Sequence, residues 1–172
     1  MTVRPILTAP DPRLKAISKN VDSVDATTRR LIDDMVESMY EADGIGLAAV
    51  QIGVPLRVIV MDLDQKEGKT NPRAFVNPVI NWRSKELATF EEGCLSVPEI
   101  WEDVERATKI RCEYLDRDGN KVLLEADGLL ATCLQHEMDH LEGVLFIDHL
   151  SKLKRSIALR KLQKAKRLKQ TG

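Results

Sequence analysis

At 172 residues, 43% apolar and 31% charged, the chain is one domain's worth of ordinary globular sequence, long enough to bury roughly 70% of its unfolded surface. This composition excludes a disordered chain, and the longest uncharged stretch, 44–56, is too short and too rich in Gly, Ala and Gln to span a bilayer. The net charge of −1 hides a split: residues 150–172 carry nine bases and no acid, a +9 tail on a body of −10.

Residues 11–23, with Pro12, Ser18, Asn20 and Asp22, read as an extended, loop-rich opening. Asp25 or Thr27 caps a helix that runs to about Ala42, with Leu31, Met35, Met39 and either Ile32 or Val36 on one face; Asp43-Gly44 ends it. A Gly/Ala-rich stretch over 44–53 gives way at Pro55 to a strand over 57–62, and residues 64–73 form a polar loop with its turn at 69–72. Further strands are expected over 74–77, 86–90, 107–115 and 121–126, the last two joined by a hairpin turn at Asp116-Arg-Asp-Gly119. From Gly128 the spacing is helical through Leu141, with Gly143 as the stop. Ser151 starts a basic helix whose thin apolar stripe is Leu153, Ile157, Leu159 or Arg160, Leu162 and Leu168. Scattered strands and helices that do not alternate with them indicate α+β.

No apolar signal core opens the chain, and Asp11, Asp22 and Asp25 stand among its early bases, so a cytoplasmic protein is expected. In that compartment Cys94, Cys112 and Cys133 need no disulfide, and each is a buried apolar residue, a nucleophile or a metal ligand.

Gln135-His-Glu-Met-Asp-His140 narrows the choice. Residues i and i+4 share a helix face, so His136 and His140 can grip one metal ion, while Glu137 projects beside it and reaches water without ligating. A charged helix with incidental histidines is the plainer reading, but two of only three histidines fall at this spacing around a Glu. No third His follows two turns on. Cys133 lies ~7 Å along the helix axis from the midpoint of the pair, too far for a ~2.3 Å metal–sulfur bond, and reads as pocket wall. Cys112 reads as core. Cys94 sits where Gly93 frees the backbone and Pro98 is expected to stop a strand; it is the third candidate ligand.

Three motifs, Gly44-Ile-Gly-Leu-Ala-Ala-Val-Gln51, Glu92-Gly-Cys-Leu-Ser96 and Gln135-His-Glu-Met-Asp-His140, resemble in type and order the signatures of the peptide deformylase family, and the likeness extends over essentially the whole chain. The segment 99–105 departs most: family members often carry an Arg near Trp101. The resemblance implies hydrolysis of the formyl group from N-terminal formyl-methionine of nascent peptides, with Glu137 passing the proton and with the Gln51 amide and Leu95 N–H receiving the oxyanion. It also implies that Ile45, Phe90, Leu129 and Cys133 line a methionine pocket beside Glu92 and His136. The i, i+4 spacing of Leu129 and Cys133, one turn before His136, agrees. An extended substrate could add a strand to Ile45-Gly46.

Affinity alone predicts Zn²⁺ over Fe²⁺ at such a site, whereas the resemblance implies native Fe²⁺, with Zn²⁺, Ni²⁺ or Co²⁺ in purified samples. The basic tail is expected to dock on the ribosome near the exit tunnel, a solvated helix face being the alternative; no membrane and no specific nucleic-acid sequence is expected as a partner. Two competing readings are a small zinc peptidase, which the missing third His disfavours, and a non-catalytic ribosome-associated module, which would want four protein ligands. The expected fold is α+β: small mixed or antiparallel sheets around a central metal-binding helix, with an N-terminal helix and a basic C-terminal one. Residues 1–150 would be the catalytic domain and 151–172 an extension of it.

Overall fold

A computed structural model describes residues 2–171. Helix α1 (Ala26–Glu41) is followed by strands β1 (Gly46–Ala48), β2 (Val58–Met61), β3 (Arg73–Arg83), β4 (Leu87–Cys94), β5 (Val97–Ala107), β6 (Lys109–Leu115) and β7 (Lys121–Asp127), then by α2 (Gly128–Leu141) and α3 (Lys152–Thr171). Single 3-10 turns occupy Pro12–Lys15, Ala49–Ile52 and Phe146–His149. Five strands form an antiparallel sheet in the order β1-β2-β3-β6-β7, and β4 and β5 form a separate hairpin.

Local chemistry starts the helices where expected. The Asp25 carboxylate accepts the Thr28 N–H at 3.0 Å and caps α1, which buries Leu31, Ile32, Met35 and Met39. Beyond α2, Gly143 takes φ 73°, and a Cβ there would meet the Lys15 carbonyl oxygen at 2.4 Å. The run Val58-Ile-Val-Met61 is buried throughout because both faces of β2 are covered: Val58 and Val60 pack toward α1, Ile59 and Met61 toward α2. A third cluster joins Val97, Ile100 and Val104 of β5 to Phe146 and Ile147 and to Ala158 and Leu162 of α3.

Four expectations needed correction. The turn in the polar loop comes earlier, where Lys66 bridges Lys69 and Glu67 and Gly68 take positive φ. Strand β3 runs on past Pro78 to Arg83, absorbing irregularities in its pairing with β6. Pro98 does not stop a strand but lies inside β5; a hairpin strand has one free edge, so its missing N–H breaks no ladder bond. Among its described residues helix α3 buries Ala158 and Leu162, an i, i+4 pair, and leaves Leu153, Ile157 and Leu168 exposed because it meets the body over one turn.

Candidate metal centre

Helix α2 is driven through the core, so His140 is fully buried and His136 nearly so. Cys94 ends β4, and the two-residue turn Leu95-Ser96 returns the chain at Val97. The turn brings the Cys94 Sγ to 3.3 Å from His140 Nε2, and the ligand atoms of Cys94, His136 and His140 all lie within 4.8 Å of one another. Among the described residues this is the one such grouping. One soft thiolate and two imidazoles converging at a buried point fit a divalent transition metal. Cys133 stands outside the group, its thiol pushed up to about 12 by burial, and Cys112 is core, pushed up to about 11 by the same cause.

The imidazole of His136 is held from behind. Its Nδ1 donates to Glu92 Oε1 at 2.9 Å, which turns Nε2 toward Cys94, and the ring of Phe146 stacks against it at 6.1 Å. Glu92 is itself gripped by the Arg106 fork, with Nε at 2.6 Å and Nη2 at 2.9 Å, and Arg106 Nη1 reaches Asp139 at 2.9 Å. His149 Nε2 completes the chain at 2.8 Å from the same Asp139 oxygen. Although burial works against ionisation, hydrogen bonds from His136 and Arg106 hold the Glu92 carboxyl below its ordinary value. Arg106 and Asp139 escaped the sequence reading: an arginine among the acids of an unrecognised strand carries no local signal of burial.

Beside the three ligands opens a pocket of about 710 Å³. Every substrate-side candidate lines it: Ile45, Gly46, Gln51, Phe90, Glu92, Leu95, Leu129, Cys133 and Glu137. A Cβ on Gly46 would lie 2.8 Å from the Glu137 carboxylate and one on Gly44 2.6 Å from Leu95, so these glycines make room for Glu137 and Leu95 of this chain itself. Glu137 Oε2 is buried without a hydrogen-bond partner, and burial pushes the carboxyl up to about 7. The Gln51 side chain is fixed at both ends: its oxygen accepts the Ala48 N–H at 2.9 Å and its nitrogen donates to Ser96 Oγ at 2.9 Å, lying 3.6 Å from Cys94 Sγ. Trp101, Glu91, Glu99 and Asp43 also line the pocket and were not anticipated.

Comparison with known proteins gives one answer. The family model described as polypeptide deformylase matches residues 3–156. A peptide deformylase of Pelagibacter ubique is 58% identical over 166 residues, 96% of each chain, and one of Maricaulis maris is 56% identical over 98% of this chain and 97% of its own. Among solved structures, a peptide deformylase from Legionella pneumophila matches with a TM-score of 0.91 at 47% identity over 99% of both chains. The Ehrlichia chaffeensis enzyme in complex with actinonin matches at 0.91 and 44% identity, over 97% of this chain and 99% of its own.

Proposed function

The chain belongs to the peptide deformylase family, and from that premise we propose that Cys94, His136 and His140 hold one divalent ion while Glu137 moves the protons of deformylation. The reaction removes the formyl group from the N-terminal formyl-methionine of newly made polypeptides and releases formate. The convergence of a thiol and two imidazoles beside an unpartnered buried carboxylate carries the reading. Neither a zinc peptidase nor a structural module is favoured by close relatives named peptide deformylase.

When bound, the ion supplies Lewis acidity, lowering the pKa of water from ~15.7 toward ~7 and polarising the formyl oxygen. Glu137, raised by burial to about 7, is poised to take the proton of the attacking water and return it to the leaving amine. Gln51 keeps one N–H on Ser96 and has a second, beside Cys94 Sγ, to offer the oxyanion together with the Leu95 backbone N–H. The methionine side chain enters between Ile45, Phe90, Leu129 and Cys133, and β1, at the edge of its sheet, offers Ile45-Gly46 to the extended peptide. Behind the ligands, Glu92 and Arg106 keep the His136 ring in the tautomer that frees Nε2.

The native ion is taken to be Fe²⁺, as the family likeness suggests, with Zn²⁺, Ni²⁺ or Co²⁺ replacing it during purification; metal analysis of anaerobically prepared protein that finds no iron would exclude this. Glu137→Gln tests the core of the reading. It should keep the metal, by elemental analysis, while formate release falls about 10²–10⁴-fold; normal turnover would refute the assignment.

The cytoplasm, where nascent chains emerge, is the place of action. Residues 1–150 form the catalytic body, and 151–172 extend it as a docking helix. The nine bases of α3 are exposed; Lys154 and Arg155 reach carboxylates of the body, Glu102 at 3.5 Å and Asp148 at 3.0 Å. Such a surface suits ribosomal phosphates near the exit tunnel, with salt-sensitive affinity. Because deletion would also uncover the cluster under Ala158 and Leu162, the clean variant replaces Lys152, Lys161, Lys164 and Lys166 by Gln. Co-sedimentation with ribosomes should then be lost, and unchanged co-sedimentation would exclude this partner.

A further inference from the structure

The two edges of the large sheet face different surroundings. Strand β1 ends it beside the pocket, whereas β7 ends it beyond β6, with no strand past it among the described residues. An edge strand presents a row of unpaired N–H and C=O groups, and proteins blunt such rows with Pro, with bulges or with repelling charges. Strand β7, Lys121-Val-Leu-Leu-Glu-Ala-Asp127, contains neither Pro nor Gly. It pairs with β6 from Lys109↔Asp127 to Leu115↔Lys121 without a shift, while β3 breaks its register with β6 twice. The far edge is straight and open.

Its side chains are arranged symmetrically. Lys121, Leu123 and Glu125 stand on the outer face, where Leu123 is 75% exposed. On the other face Val122 and Leu124 pack against the core yet stay only half-buried. Charges that keep copies of a chain apart would share one sign, but Lys121 and Glu125 are opposite in sign and equally spaced about Leu123. A two-fold axis at Leu123 would set Lys121 of each copy against Glu125 of the other, Leu123 against Leu123, and Val122 against Leu124. Alternate residues then meet their own set, so backbone groups turned outward meet groups turned outward. An axis at Leu124 would instead set Leu123 against Glu125, and one at Val122 would set it against Lys121. Within each copy Glu125 lies 3.1 Å from Arg111 and Lys121 lies 2.5 Å from Glu113. Across the four strands of the pairing the charges therefore alternate in sign.

We propose that β7 is a self-association edge, on which two copies of this chain pair antiparallel in the register centred on Leu123 and join their five-stranded sheets into one. The partner is a second copy because the edge complements itself in charge, in apolar side chains and in backbone. So short a pairing covers less than the ~1,200 Å² of a standard interface, which makes it a micromolar contact rather than a permanent one. Lys121, Leu123 and Glu125 do not line the pocket, so deformylation itself does not depend on the pairing.

Sedimentation velocity of the full-length, metal-loaded protein between about 1 and about 300 µM tests this, the mean mass rising from one chain toward two. Lys121→Glu alone, or Glu125→Lys alone, sets like charges face to face at both ends of the pairing and should weaken it about tenfold. The two together put opposite charges back in register and should return the dissociation constant to within about threefold of the parent. Leu123→Cys should cross-link two chains under mild oxidation, above the background of the parent, whereas Lys121→Cys, which would face Glu125, should not. Melting temperature and kcat/KM on a formyl-Met peptide, both near the parent's, check that each variant is folded. A mass of one chain at every concentration overturns the proposal. So does a dimer that both single charge reversals leave intact, or a folded double variant that fails to pair, since another surface or another register would then be at work.

Discussion

Helices α2 and α3 treat polar side chains in opposite ways. Helix α2 buries Thr132, Gln135, His136, Glu137 and His140, whereas α3 turns nine bases to solvent and meets the body through Ala158 and Leu162. A polar group taken from water costs about 1–3 kcal/mol unless a partner meets it, and along α2 partners are supplied. Gln135 donates to the carbonyls of Ala107 and Ala131 at 2.9 and 3.0 Å, His136 to Glu92, and the Asp139 carboxylate accepts from both Arg106 and His149. The groups left without a partner on this helix, Glu137 Oε2 and His140 Nδ1, stand at the centre itself. The contrast teaches that substitutions around α2 act on fold and chemistry together, while those at the exposed bases of α3 leave the fold alone.

The largest break of that contrast is Arg106→Met. Arg106 and Glu92 side chains are each 6% exposed, so the substitution strands buried carboxylates and should cost about 3–5 kcal/mol in urea unfolding, along with weaker metal retention. A loss near zero would mean that the Glu92 charge is not held by this arginine. Next comes Gln51→Ala: the proposed oxyanion role predicts a barrier raised by about 2.7–4 kcal/mol in kcat with smaller change in KM; a pure KM effect would remove Gln51 from that role.

A pair outside the centre, Asp62 buried and Tyr40 half-buried, sharpens the same rule. Asp62, 1% exposed, accepts the Tyr40 hydroxyl and the N–H groups of Asn71 and Asp64, and these donors outweigh burial to hold its carboxyl below the ordinary range. Burial and the Asp62 carboxylate push Tyr40 up to about 12. With its folded value depressed, Asp62 contributes stability that is present above the ordinary carboxyl value of ~3.9 and lost as pH falls through the folded one. Tyr40, raised and favoured neutral, contributes stability that is full below ~10 and lost as pH climbs through about 12. Tyr40→Phe should therefore cost about 1.5–3 kcal/mol at pH 7. The gap from the parent should narrow below pH ~4 as Asp62 gains its own proton. A gap independent of pH would show that the hydroxyl serves packing only. Smallest of all, replacing the four α3 lysines by Gln should change unfolding free energy by under about 0.5 kcal/mol. A larger loss would make α3 part of the core and end the contrast.

Much of this was legible because local rules produced it. Asp25 capping α1, Gly143 closing α2 and Asp116–Gly119 turning β6 into β7 each depend on residues within a few positions of one another. Cys94 lies beside the imidazole pair for a partly different reason from the one expected: the thiol is aimed by the end of a strand and a two-residue turn, not by a break before Pro98. Strand β5 was missed because Pro98 and its alternating acids argue against a strand, and the argument fails only where the second edge of a hairpin lies open. Arg106, Asp139 and Trp101 went unread as parts of the site for the same reason, since they acquire meaning from what β5 places across from them.

By itself, then, the amino-acid order determined α1, α2 and the imidazole pair one turn apart, since a helix's hydrogen bonds close within four residues and its period sets which side chains align. Only tertiary structure decided that Cys94 meets His140 across 46 positions of sequence, that Arg106 locks Glu92 behind His136, and that Trp101 and three carboxylates surround the cleft. Those contacts are chosen by the burial of β2 between two helices and by an uneven hairpin, and such choices minimise the free energy of the whole chain rather than of any one segment.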